Sequence, residues 1–101
     1  MKAGFFLLAI TPLVAGWNLQ LSTTDGRKVT MHGTADSGCK NIEFTPTLNV
    51  SRANFNPKTS WHSDPQTFEL YVGRNCDGLS YRGSKGNKKI KARKIKSYKV
   101  W

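Results

Sequence analysis

Apolar and polar residues alternate along several short segments of this chain, as they do in strands with one buried face. Residues 17–21 alternate first, and residues 28–32 alternate again. Between them lies Asp25-Gly26, and a glycine can take the positive φ that hairpin turns require. We therefore expect the two segments to pair as a hairpin. Residues 39–44 predict a third short strand.

The middle of the chain lacks this alternation. Pro46, Pro57 and Pro65 punctuate residues 45–65, and each proline removes a backbone hydrogen-bond donor. We expect this stretch to form a long surface excursion with one edge strand near residues 48–50.

Alternation returns at residues 67–72. The apolar residues expected to share its buried face are Phe68, Leu70 and Val72. Residues 75–78 predict a turn, and residues 79–81 begin the partner strand. Residues 92–101 predict a final strand whose aromatic end packs into the core.

These segments together predict an all-β fold, a small antiparallel Greek-key sandwich of six to eight short strands. Long apolar repeats at helical spacing are absent from residues 17–101. The residues that we expect in the core are Trp17, Phe68, Leu70, Tyr71 and Ile95.

Residues 1–16 have the layout of a secretory signal peptide. Lys2 gives a positive start, an apolar run follows as far as Val14, and Ala15-Gly16 supplies small residues for cleavage. The run is too short for a bilayer core, which needs about 20 apolar residues. We expect cleavage after Gly16, with cleavage after Ala15 as the alternative, and a secreted, monomeric domain over residues 17–101, with no transmembrane segment.

The two cysteines, Cys39 and Cys76, are expected to form a disulfide in an oxidising compartment. Closing this loop would stabilise the fold by about 4 kcal/mol on the chain-entropy model. Two separate free thiols are the alternative. Asn49-Val50-Ser51 is a glycosylation sequon, and its occupancy is open.

Residues 68–81 resemble the Greek-key signature of βγ-crystallin-like domains. Tyr71 and Gly78 occupy the positions of its first aromatic residue and its glycine, whereas Cys76 replaces its second aromatic residue. The resemblance implies an aromatic ring over a folded-back hairpin, whose glycine takes a conformation closed to other residues. The acidic and serine run that binds calcium in some members is missing, so no metal site is implied.

That family includes small secreted killer-toxin-like proteins of microbes, which are often basic and carry disulfides. The whole pattern also looks like small secreted proteins of filamentous fungi, including candidate effectors. A two-sheet effector sandwich with one disulfide is an alternative that fits the composition.

The chain carries a formal net charge of +10, and its basic residues concentrate near the end. Residues 82–99 contain Lys and Arg but neither Asp nor Glu. The predicted contact residues in this segment are Arg82, Lys85, Lys88, Lys89, Lys91, Arg93, Lys94 and Lys96. Such a segment attracts anionic polysaccharide, phospholipid headgroups or nucleic acid, and a host protein is a further candidate target.

Three aromatic residues are interleaved with this basic segment and could stack on bases or sugars. They are Tyr81, Tyr98 and Trp101. The alternative is a solvated hairpin whose charge serves solubility.

We expect a binding protein, an effector or antimicrobial toxin, rather than an enzyme. The alternative is a secreted ribonuclease, in which His32 and His62, or one of them with Glu43 or Glu69, would transfer protons. No spacing in the chain matches a ribonuclease signature. The sequence predicts no metal site, because its two cysteines and two histidines do not form ligand pairs. It also predicts no cofactor.

Overall fold

Eight strands form two four-stranded antiparallel sheets in the computed structural model, which describes residues 16–59 and 64–101. The strands are β1 (Trp17–Thr23), β2 (Lys28–Gly33), β3 (Gly38–Asn41), β4 (Leu48–Asn56), β5 (Phe68–Tyr71), β6 (Leu79–Gly83), β7 (Gly86–Ile95) and β8 (Ser97–Val100). Hydrogen bonds order them β2-β1-β4-β7 in sheet A and β3-β8-β5-β6 in sheet B. The predicted all-β class is confirmed.

Side chains from the inner faces of both sheets form the core. In β1 every second residue is buried, as the alternation predicts. The Phe55 ring of sheet A lies 5.4 Å from the Phe68 ring of sheet B, centroid to centroid, and joins the two layers. A fully buried side chain of this kind contributes about 1.5–3 kcal/mol. The predicted core residues that are buried are Trp17, Phe68, Leu70 and Ile95. Tyr71 is only half-buried.

The prediction for the middle of the chain is wrong. Residues 48–56 form the nine-residue strand β4, which lies between β1 and β7 and is not an edge strand. Its buried residues are Leu48, Val50, Ala53 and Phe55. A register shift between Val50 and Arg52 breaks the period of two, which hides the strand in the sequence.

The end of the chain also differs from its prediction. Residues 92–101 do not form one strand, because β7 ends at Ile95 and β8 begins at Ser97 in the other sheet. The aromatic end does not pack into the core, since Trp101 is 44% exposed. The core instead receives Val100, and Tyr98 packs against it.

The predicted turn at residues 75–78 folds back over the outer face of sheet B. The backbone nitrogen of Cys76 donates a hydrogen bond to Oγ of Ser97 in β8. The same hydroxyl donates to the carbonyl of Gly73, which fixes both sides of the loop. Gly78 has φ +75, where a Cβ atom would lie 2.9 Å from Val72 Cγ2. Val72 is exposed and does not share the buried face of Phe68, because β5 ends at Tyr71.

The predicted disulfide between Cys39 and Cys76 is confirmed, with Cα atoms 5.9 Å apart. It ties the folded-back loop to β3, one of the two edge strands of sheet B.

The predicted signal peptide lies, apart from Gly16, outside the described residues. Within residues 16–59 and 64–101, no helix is long and apolar enough to cross a membrane.

Candidate anion-binding cleft

Strands β6 and β7 are each at the edge of a sheet, and only residues 84–85 connect them. Gly86 allows this short crossing. Its φ is +126, a conformation that glycine adopts readily and that is unfavourable for residues with a Cβ atom. Gly83 contributes as well, since a Cβ atom there would lie 2.9 Å from the Phe68 ring. The chain therefore passes from sheet B to sheet A at one corner of the sandwich.

A cleft of about 400 Å³ lies between these two strands. We call it the β6–β7 cleft, and its lining residues are Ser80, Tyr81, Lys89, Ile90, Lys91 and Arg93. Tyr81 and Ile90 pack against the core and provide an apolar floor. The Tyr81 ring lies 5.8 Å from that of Phe68, which fixes its position. The cleft thus combines three cations with an apolar surface and the hydroxyl groups of Ser80 and Tyr81.

No acidic residue of the neighbouring strands neutralises these cations. Strands β4, β6 and β7 contain neither Asp nor Glu. In the register with β4, Arg93 lies opposite Val50, and Lys89 lies opposite Arg52, another cation. Like charges in adjacent positions repel each other and strengthen the local positive field. The cleft is therefore a site where an anion would be stabilised.

The acids that form ion pairs in the described part of the chain lie elsewhere. These pairs are Arg27–Asp25, Arg74–Glu43 and Arg82–Glu69. Arg82, a predicted contact residue, is therefore already paired: its Nε lies 2.7 Å from Oε2 of Glu69.

Glu69 is a buried carboxylate on the outer face of sheet B. Its burial favours a raised pKa, but hydrogen bonds from Tyr71, Arg82 and Trp101 outweigh that effect and lower the pKa below its usual 4.5. Burial, together with the hydrogen bond to Glu69, raises the pKa of Tyr71 to about 12. Glu69 is therefore an ionised carboxylate surrounded by donors.

The structure distributes the predicted contact residues over several surfaces. Lys89, Lys91 and Arg93 meet in the cleft, whereas Lys88 and Lys94 lie on β7 outside its lining. Two further predicted contact residues line other surface pockets. Lys85 lies in a pocket with Pro57, and Lys96 lies in a pocket with Glu43. The eight residues therefore do not form one continuous site.

The structure separates two residues of the ribonuclease hypothesis, His32 and Glu69. His32 lies opposite Asn18 on the outer face of sheet A, whereas Glu69 lies on the outer face of sheet B. Glu43 forms an ion pair with Arg74 at 2.6 Å. His62 lies outside the described residues. Of the catalytic candidates, His32 and Glu69 are not brought together.

Asn49 of the sequon lies within β4, and its side-chain nitrogen donates to Oγ1 of Thr24 at 3.1 Å.

Residues 16–59 and 64–101 contain no cluster of His, Cys, Asp or Glu side chains that could bind a metal ion.

The sequence does not mark Ser80 and Ile90 as binding residues, because neither residue type indicates a binding site by itself. Tyr81 was one of three aromatic candidates, and it is the one that lines the cleft. Tyr98 packs against the core, and Trp101 donates to Glu69 on the outer face of sheet B. Only the strand register distinguishes these three residues.

No protein-family model matches this chain, and neither the curated proteins nor the solved structures with which it was compared give a match.

Proposed function

We propose that this chain is a secreted, basic, non-enzymatic binding protein that holds an anionic target in the β6–β7 cleft. One observation carries the proposal. Lys89, Lys91 and Arg93 converge on an apolar floor, and the strands beside them contain no acid. If these three cations served only solubility, they would not need to lie together in one concave site.

The physical basis is electrostatic attraction. Several cations that face one cleft raise the local concentration of a polyanion and speed its association. Because salt screens exposed charges, binding should weaken steeply as ionic strength rises.

An effector or antimicrobial toxin acting on another cell is the role that we propose for this binding. The disulfide, the positive φ of Gly78 and the folded-back loop after Tyr71 support the proposed likeness to βγ-crystallin-like toxins. A rigid, bridged scaffold would suit the extracellular medium.

Heparin chromatography tests the cleft. The K89E/K91E/R93E variant should lose most of its retention, because it reverses the three cations of the cleft. The matched control is K28E/K40E/K58E, which changes exposed lysines outside the cleft. In both variants, three reversals of two charges each lower the formal net charge from +10 to +4.

The unmodified protein should elute at high salt, and the control variant should stay close to it. Equal loss of retention in both variants would show that total charge, and not the cleft, determines binding. Circular dichroism of all three proteins should give the same β spectrum.

Export and toxicity need a separate experiment. Protein recovered from the medium of an expressing culture should begin at Trp17, by mass spectrometry, and should inhibit or permeabilise susceptible cells. An intact N-terminus in protein confined to the cytosol would exclude export.

A further inference from the structure

One end of sheet B brings together residues from all four of its strands or from the positions next to them. The backbone nitrogen of Ile42 donates to the carbonyl of Lys96, and the nitrogen of Lys96 donates to the carbonyl of Tyr71. Tyr71 in turn lies opposite Leu79 in β6. The end of β3, the start of β8, the end of β5 and the start of β6 therefore lie side by side.

Large apolar side chains are exposed at this end. Phe44, Val72 and Leu79 are each 43–50% exposed. Val72 follows β5, and its Cγ2 atom lies beside Gly78, the residue before Leu79. Phe44 follows β3 and lines a surface pocket together with Lys96. We call Phe44, Val72 and Leu79 the apolar end of the sandwich.

The apolar end adjoins the β6–β7 cleft. Leu79 is the first residue of β6, and the next residue, Ser80, lines the cleft with Lys91 and Arg93. A further exposed cation, Lys96, lies within the row of strand ends itself. Exposed apolar side chains and cations are therefore neighbours on one surface.

Acidic residues do not cancel the positive charge of this surface. Asp25 forms an ion pair with Arg27, and Glu43 forms one with Arg74. Asp77 is exposed in the loop before β6 and adds one negative charge. The cations of the β6–β7 cleft outnumber it, so the surface keeps a positive field that attracts anions.

We propose that the apolar end docks the protein on an anionic phospholipid membrane. The β6–β7 cleft would hold headgroup phosphates, and Val72 and Leu79 would enter the boundary between headgroups and acyl chains beside it. Phe44 would enter on the other side of Lys96. Binding at a membrane surface strengthens with the apolar area buried and with attraction to anionic lipids, and this surface offers both. The inference rests on the proposed function and names the class of its target.

A membrane is favoured over the other anions because it uses both parts of the surface. Nucleic acid or polysaccharide would contact the cations, and its bases or sugar rings would stack on Tyr81. Neither ligand requires the aliphatic side chains of Val72 and Leu79, which have no ring for stacking. A bilayer supplies phosphate groups and hydrocarbon next to each other.

Vesicle sedimentation with the full domain, residues 17–101, tests the docking. The unmodified protein should bind vesicles of equal parts phosphatidylcholine and phosphatidylglycerol, and it should bind pure phosphatidylcholine much more weakly. The V72S/L79S variant should bind the anionic vesicles at least about tenfold more weakly, because it removes apolar area from the interface. The matched control is V72I/L79M, which keeps that area and should bind like the unmodified protein.

Nuclear magnetic resonance on the unmodified domain locates the contact without any substitution. Bicelles of the same two lipids that carry a nitroxide-labelled lipid should broaden the methyl signals of Val72 and Leu79. The methyl signal of Met31 should keep its width, because Met31 lies in β2 at the opposite edge of sheet A from β7. Equal broadening of all three signals, or broadening of none, would contradict docking through the apolar end.

Failure of this inference and failure of the proposed function are distinguishable. If V72S/L79S bound anionic vesicles as tightly as the unmodified protein, and both kept their heparin retention, the cleft would stand and docking through the apolar end would be excluded. Tighter binding of single-stranded RNA than of anionic vesicles, without broadening at Val72 and Leu79, would lead to the same conclusion. If K89E/K91E/R93E kept both heparin retention and vesicle binding, the proposed function itself would be wrong.

Discussion

At the scale of single residues, Glu69 shows how the sandwich accommodates a buried charge. Its side chain is only 6% exposed, and it accepts hydrogen bonds from Tyr71 and from Arg82. An uncompensated buried carboxylate would be costly, but charge-assisted hydrogen bonds stabilise the ionised form. Because the folded-state pKa is lowered, Glu69 stabilises the fold fully above its usual pKa of 4.5. That contribution is lost as the pH falls below 4.5 toward the folded-state value.

We predict that Glu69→Gln lowers the free energy of unfolding near pH 7 by about 1–3 kcal/mol, the cost of disrupting a buried charged hydrogen-bond group. The variant should also lose less stability than the unmodified protein on acidification below pH 4.5. Glu43→Gln is the control, because Glu43 is 68% exposed and its ion pair with Arg74 contributes about 0–1 kcal/mol. Urea unfolding at several pH values measures both effects. If the free energy of unfolding depended on pH identically in Glu69→Gln and in the unmodified protein, Glu69 would not be the stabilising, ionised carboxylate described above.

At the scale of elements, β4 carries the main correction to the sequence prediction. Residues at 48, 50, 53 and 55 face the core, so the spacing changes from two to three at the bulge and returns to two. A search for strict alternation therefore recognises only the first part of the strand. Strands β1 and β2 have no such interruption, and alternation predicts them correctly.

The candidate site could be predicted only in part from the sequence, because strand register also determines it. The run of cations after Arg82 is visible in the sequence, but which of them converge depends on the edge position of β7 and on its register with β4. The pairing of Arg82 with Glu69 likewise depends on the register between β5 and β6. Neither register follows from local composition.

A core substitution tests the central position of β4. Phe55→Ala should destabilise the protein by about 3–5 kcal/mol, because it leaves a cavity between the two sheets. Phe44→Ala should change stability by less than about 0.5 kcal/mol, because Phe44 is exposed. Thermal unfolding of the two variants measures the difference, and similar melting temperatures would show that β4 does not lie in the core.

At the scale of the whole molecule, charge is distributed unevenly. The net charge is +10, and the acids that form ion pairs in the described residues lie outside the β6–β7 cleft. The corner where the two sheets meet therefore keeps its cations unneutralised. The disulfide lies outside this corner, between β3 and the loop that precedes β6, so it can stabilise the domain without blocking the cleft.

Nuclear magnetic resonance titration with a short heparin oligosaccharide would show directly whether the β6–β7 cleft binds an anion. The largest amide shift changes should occur at Tyr81, Lys89, Lys91 and Arg93, and they should disappear at high salt. Changes of equal size at Lys28, Lys40 and Lys58, or no change along β7, would contradict anion binding in the β6–β7 cleft.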